Sequence, residues 1–163
     1  MQEIYLVAGK RIPFVKAGTH YAEHDPLTLS APVVQAMASQ SRPDLIVWGQ
    51  VIPSMSLSNI AREAALDAGL DATIPAYSTQ LACSTSMMGA IQAAGIVGRS
   101  GIDLAMVGGV EQMSRSPIAL DEAVSARLAA LAAQDPAVAM EAFSNLRMND
   151  FALPKKGWAN RIS

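Results

Sequence analysis

The chain has 163 residues, enough for one domain with a core of its own. It is 51% hydrophobic and 16% charged, which excludes a disordered chain; a formal net charge of −2, with no basic cluster beyond Lys155-Lys156, argues against a nucleic-acid partner. A single cysteine excludes an internal disulfide framework and a cysteine-based zinc site, and no apolar run approaches the ~20 residues of a membrane span.

Met1-Gln2-Glu3 runs straight into the apolar Ile4-Tyr5-Leu6-Val7-Ala8, which predicts a buried first strand, no signal peptide and a cytoplasmic protein. A loop follows through Arg11-Ile12-Pro13-Phe14, then a polar stretch with His20 and His24. Pro26 opens a helix expected to reach about Gln40, with Asp25 as its cap. Asp44-Leu45-Ile46-Val47-Trp48-Gly49 reads as a second buried strand. Ser58 is the expected cap of a helix over residues 59–68, which Gly69 ends at the favoured position. Pro75 starts a third strand.

That strand leads into Gln80-Leu81-Ala82-Cys83-Ser84-Thr85-Ser86, a tight turn carrying the sole cysteine ahead of a helix that runs to about Arg99. Ser84, Thr85 and Ser86 are helix-starting types, and a thiol there sits where free N–H groups and the helix dipole favour negative charge. Gly89, Ala90, Ala93, Ala94, Gly95 and Gly98 put small residues on several faces, which predicts a helix buried on all sides. Residues 102–107 form a fourth strand, followed by Gly108-Gly109. Alternating strands and helices give an α/β fold, its parallel or mixed sheet covered on both faces, with Cys83 at a strand's carboxyl end, where ligands sit in such sheets. After Pro117 the texture changes to Ala-rich helical stretches, 120–133 and from Asp135-Pro136 onward.

Four motifs, in order and spacing, resemble those of the thiolases, a family of acyl-CoA acyltransferases. Arg11-Ile12-Pro13-Phe14 is similar to the family's Arg-Thr-Pro-Phe opening, and Asn59-Ile60-Ala61-Arg62-Glu63 to the start of its second helix. Ala82-Cys83-Ser84-Thr85-Ser86 looks like the nucleophile motif, and Gly108-Gly109-Val110-Glu111-Gln112-Met113-Ser114 like Gly-Gly-(Val/Met)-Glu-x-Met-Ser. The 3-ketoacyl-CoA thiolase subunits of fatty-acid β-oxidation complexes are the nearest in look. Gln80-Leu81-Ala82 stands where many thiolases have Asn-Arg-x, and Thr85-Ser86 where many have Ser-Gly. Family members are more than twice as long, and their Gly-His-Pro histidine and Cys-x-Gly cysteine have no counterpart here.

The resemblance implies the N-terminal part of a thiolase-like layered α/β/α fold, incomplete as it stands. Residues 1–116 would be the core and 117–163 the start of the helical loop region that the family inserts. It implies that Cys83 is the catalytic nucleophile of 3-oxoacyl-CoA thiolysis or the reverse condensation, with coenzyme A and acyl-CoA as substrates and no resident cofactor or metal. It implies a partner too, either a second copy or a C-terminal thiolase portion. The alternative is an inactive fragment or interaction subunit; a ketoacyl synthase shares the nucleophile layout, but its usual motifs are absent. His20, His24 and Glu111 are the other acid–base residue types considered, with the two histidines read as solvated and Glu111 as structural. Met87, Met88, Met106 and Met113 are read as core rather than acyl pocket, and Lys155-Lys156 as a solvated turn rather than a CoA phosphate site.

Overall fold

The computed structural model describes residues 3–54, 56–99 and 101–152, so the Lys155-Lys156 expectation lies outside the described residues. The chain divides into two compact units, Met1–Ser116 and Pro117–Ser163.

The first unit is built on three parallel strands, β1 (Leu45–Gly49), β2 (Ala76–Thr79) and β3 (Ala105–Gly109), in the order β2-β1-β3. Register runs Gly49↔Thr79 on one side of β1 and Gly49↔Gly109 on the other, so all three strands end at one edge. β1 is buried along its whole length and alternates its side chains between two cores. Ile46 and Trp48 face α1 (Pro26–Ala38) and α2 (Ile60–Asp67), in a cluster with Val34, Ile60, Ala64 and Met106. Leu45 and Val47 face α3 (Thr85–Ile96), packing with Ala93, Tyr77 and Val107. The result is the α/β/α layering expected from the residue pattern. The reversal of direction between the α2 and α3 crossovers puts them on opposite faces, as right-handed connections require.

Local chemistry explains the element ends. The Asp25 side chain accepts from Thr28 N at 2.7 Å and caps α1 as expected. α2 is capped one residue later than expected: Asn59, not Ser58, accepts from Arg62 N at 3.2 Å. The same asparagine accepts from Ser78 Oγ and donates to Ala76 O, each at 3.0 Å, so one side chain starts α2 and ties it to β2. Gly69 ends α2 at φ 75°, a conformation open to glycine at little cost. Buried Trp48 donates its Nε1–H to buried Ser30 Oγ at 3.0 Å, and Ser30 donates in turn to Pro26 O.

Two larger expectations also fail here. Residues 4–8 form no strand; Tyr5, Leu6 and Val7 are 73%, 92% and 76% exposed. This N-terminal segment forms one wall of an apolar hollow of about 930 Å³, whose opposite wall is the unpaired edge of β3. An apolar run becomes a strand only where its backbone reaches a neighbour's, and here the hollow keeps the segment from the β3 edge. Nor is α3 buried all round: Thr85, Gly89 and Ala93 lie on the sheet, while Met87 and Ile91 on its outer side are 65% and 60% exposed.

The second unit pairs α4 (Glu122–Gln134) with α5 (Pro136–Ser144), capped by Asp121 and Asp135. A two-residue antiparallel ribbon, β4 (Ala119–Leu120) with β5 (Phe151–Ala152), closes it at its base.

Candidate active site

The three strands deliver their carboxyl ends to one place. β1 runs into Val51 and Ile52, β2 into the Cys83 turn, and β3 into Glu111-Gln112-Met113-Ser114.

Cys83 is exposed. Ala82, just before it, holds φ at 41°, the one non-glycine residue in the left-handed region among those described. Such a conformation costs an alanine about 1–2 kcal/mol, so neighbours must impose it. Thr85 is the main restraint: its buried hydroxyl accepts from Leu81 N at 2.9 Å and donates to Ala82 O at 2.7 Å. The expected hydroxyl cap of α3 is therefore not made; Ser84 stands at the cap position without a side-chain bond. Among the described residues, the N–H groups of Ser86 and Met87 have no hydrogen-bond partner, which leaves the positive end of the helix open beside the thiol.

Two glycines let α3 start directly on the sheet, and a third makes room for Trp48 on the opposite face. A Cβ on Gly49 would lie 2.0 Å from Thr85 Cγ2, one on Gly109 2.9 Å from Ser86 Oγ, and one on Gly108 2.2 Å from the Trp48 ring. Gly108-Gly109 serves close approach.

The residues after β3 tie down two loops. Gln112 is buried and donates from Nε2 to Tyr21 O and, at 3.0 Å, to His24 O. Ser114 Oγ accepts from Gly18 N at 2.8 Å, and Arg115 donates to Glu23 O at 2.9 Å. This clamp fixes the backbone around His20 and His24. Both imidazoles are exposed, and among the described residues no hydrogen bond joins either to Cys83. Glu111 is half-buried, and its Oε2 accepts from Val51 N at 2.7 Å and Ile52 N at 3.3 Å. Burial pushes its carboxyl above the ordinary glutamate range, outweighing the pull of the Val51, Ile52 and Gln112 N–H groups. Met106 is core, Met88 half-buried, Met87 and Met113 exposed. Gln80, Thr85 and Gln112 were not singled out from sequence as site residues. Each acts through a backbone partner, and for Gln80 and Gln112 that partner is distant in the chain.

A carboxyl raised by burial binds its proton more tightly folded than unfolded. Its contribution to stability is full below the unfolded value and is lost as pH rises through the folded one. Asp25, Asp44 and Asp71, held low chiefly by backbone N–H groups, slope the opposite way. Urea unfolding of the wild-type chain and Glu111→Gln, compared across the range above about pH 4.3, should isolate the glutamate. The wild type should lose stability relative to the variant as pH rises; parallel curves would contradict the assigned burial.

A layered α/β/α unit with a thiol on the turn between strand and helix shares its layout with enzymes that attack carbonyl groups. The particular family follows from comparison. Residues 4–152 match the model of the thiolase N-terminal domain. The mitochondrial trifunctional enzyme subunit beta of Mus musculus is 36% identical over 123 residues, 72% of this chain and 26% of that protein. A 3-ketoacyl-CoA thiolase of Vibrio cholerae is 33% identical over 135 residues, 80% of this chain and 31% of that protein. The crystal structure of the Bacillus anthracis acetyl-CoA acetyltransferase superposes with a TM-score of 0.62 at 31% identity, covering 66% of this chain and 28% of that one. The chain belongs to the thiolase family, through its N-terminal domain. It spans about a quarter to a third of the length of the curated relatives it matches.

Proposed function

We propose that the chain supplies the acyl-accepting thiol of a thiolase-type acyl-CoA acyltransferase. The observation that carries this is the exposed thiol of Cys83, held on a strained turn at the open start of α3 in a member of that family. The Cys83 thiolate attacks the 3-keto carbon of a 3-oxoacyl-CoA. The bond between C2 and C3 breaks, its electron pair leaves as the enolate of acetyl-CoA, and that enolate takes up a proton. The shortened acyl group stays on Cys83 as a thioester until the thiol of a second CoA accepts it; condensation runs the same steps backwards. CoA enters as substrate, and no step uses a resident cofactor.

An acid and a base are also needed. Glu111 is committed to backbone N–H groups, and among the described residues no hydrogen bond joins either histidine to Cys83, so these roles fall to polypeptide outside the 163 residues. A cytoplasmic site of action is part of the same reading. Incubation with an acyl-CoA, whose thioester carbonyl Cys83 can attack with CoA leaving as its thiolate, followed by intact mass, tests it. One acyl group should appear on the wild-type chain and none on Cys83→Ala; equal labelling of both would end the nucleophile reading.

The outer face of α3 favours a second statement, self-association. Met87, Ile91 and Leu81 are exposed at 65%, 60% and 46%, beside the unpaired edge of β2. Apolar side chains next to free strand edges invite a second copy. Sedimentation at micromolar concentration should show a dimer or larger species, and Met87→Glu should weaken it; a monodisperse monomer would contradict the proposal.

A further inference from the structure

Glu111 carries a charge for which the chemistry proposed for Cys83 has no use. Its Oε1 is buried without a hydrogen-bond partner among the described residues, an arrangement that costs stability. An amide or hydroxyl could tie down a loop without that cost, so what the carboxylate holds matters.

It holds the peptide group between Val51 and Ile52. The N–H of that peptide donates to Glu111 Oε2 at 3.3 Å, and the Val51 N–H donates to the same oxygen at 2.7 Å. The C=O of that same peptide accepts from Gln80 Nε2 at 2.6 Å. An anion on the N–H end strengthens the carbonyl as an acceptor and fixes which way the peptide faces. Gln80 is the last residue before Leu81-Ala82-Cys83, where Ala82 is held at φ 41°. The turn is therefore restrained from two sides, by Thr85 within α3 and by Gln80 through the Val51–Ile52 peptide.

We infer that Glu111 is a positioning residue for Cys83, acting through the Val51–Ile52 peptide and the Gln80 side chain on the turn that carries the thiol. Its effect on reactivity rests on the reading of Cys83 as nucleophile; its effect on the turn does not. Without the carboxylate the peptide is free to rotate, Gln80 loses its acceptor, and the thiol drifts from the start of α3.

The test is a double-variant cycle on the full chain with Glu111→Ala, Gln80→Leu and the pair, each first shown to unfold cooperatively in urea. Two quantities are read: the rate of iodoacetamide labelling of Cys83, and amide hydrogen exchange at residues 81–84. Each single variant should slow labelling about tenfold, the scale of a modest misplacement, and speed exchange. The pair should do no more than the larger single, and Glu111→Gln, whose neutral amide oxygen still accepts, should recover part of the loss. Should Glu111→Ala not fold, Glu111→Asp takes its place, since its shorter arm cannot hold both N–H groups. Unchanged labelling and exchange in folded variants, or effects that multiply in the pair, would overturn the inference. A wild-type thiol no faster than free cysteine would instead remove the nucleophile reading, and the exchange cycle alone would then decide the positioning one.

Discussion

Given an acyl-CoA, the 163-residue chain is expected to take up one acyl group slowly on Cys83, with CoA leaving as its thiolate; given a 3-oxoacyl-CoA and free CoA, it is expected to show no sustained cleavage. Exchange with an activated thioester asks only for a thiolate, because CoA leaves as a thiolate in turn. Sustained cleavage asks for more, because the enolate must be protonated as it leaves and the thiol must be regenerated. General acid–base help contributes about 10²–10⁴-fold and an oxyanion donor about 10²–10³-fold, so losing both removes detectable turnover. The geometry leaves few substitutes. Glu111 is spent on Val51 and Ile52, and His20 and His24 have only their backbone neighbourhood pinned, by Gln112 and Arg115. A thiolysis assay on purified chain, with Cys83→Ala as control, should show no sustained cleavage, while acyl-CoA alone acylates Cys83 once. Adding a C-terminal thiolase portion that bears the missing histidine and cysteine should restore turnover. Sustained Cys83-dependent cleavage by the chain alone would overturn this reading and make the His20 or His24 imidazole the base to examine.

The largest stability effect is expected at Gly49. Its missing side chain is the space into which Thr85 and Thr79 fit: an added Cβ would stand 2.0 Å from Thr85 Cγ2 and 2.8 Å from the Thr79 carbonyl oxygen. The second contact is with backbone in the paired strand, which cannot swing aside as a side-chain tip would. Gly49→Ala must therefore push α3 off the sheet or splay β1 from β2. Overpacking of this kind costs about 3 kcal/mol. The displacement acts on Thr85, whose hydroxyl holds the Cys83 turn, so the variant should also lose Cys83 reactivity under conditions where it is still folded. Urea unfolding and iodoacetamide labelling of one preparation would read both. A variant as stable and as reactive as the parent would mean that Thr85 does not sit where it is placed. Gly95 of α3, whose Cβ would meet nothing within 4 Å, is the open-space control.

How far the sequence could be read depended on the range of each interaction. β1, α2 and the Cys83 turn rest on local apolar runs, caps and a terminal glycine, so they were legible, with Asn59 for Ser58 a one-residue miss between two good capping types. The carbonyls that Gln112 holds lie 88 and 91 positions away, and Glu111 grips amides 59 and 60 positions away; no spacing rule connects them. The segment at residues 4–8 had the composition of a strand and lacked the neighbour. The small residues of α3 promised burial on every side, yet this chain supplies a layer against only one. The motif that carries Glu111 and Gln112 was recognised by resemblance alone, and its clamp on two loops emerged only from the hydrogen bonds.

The hollow between the N-terminal segment and β3 also bears on how the chain would survive in a cell. Among the described residues, no backbone N–H of residues 3–15 meets a backbone carbonyl partner, and opening that segment to a protease costs almost no unfolding. Lys10, Arg11 and Lys16 lie in or beside it, so trypsin should trim the front of the chain well before it reaches α1 or β1. Anything that fills the hollow and pairs with the β3 edge would shield these bonds, so the lifetime of the intact N-terminus serves as a clock for whether the chain has found what completes it.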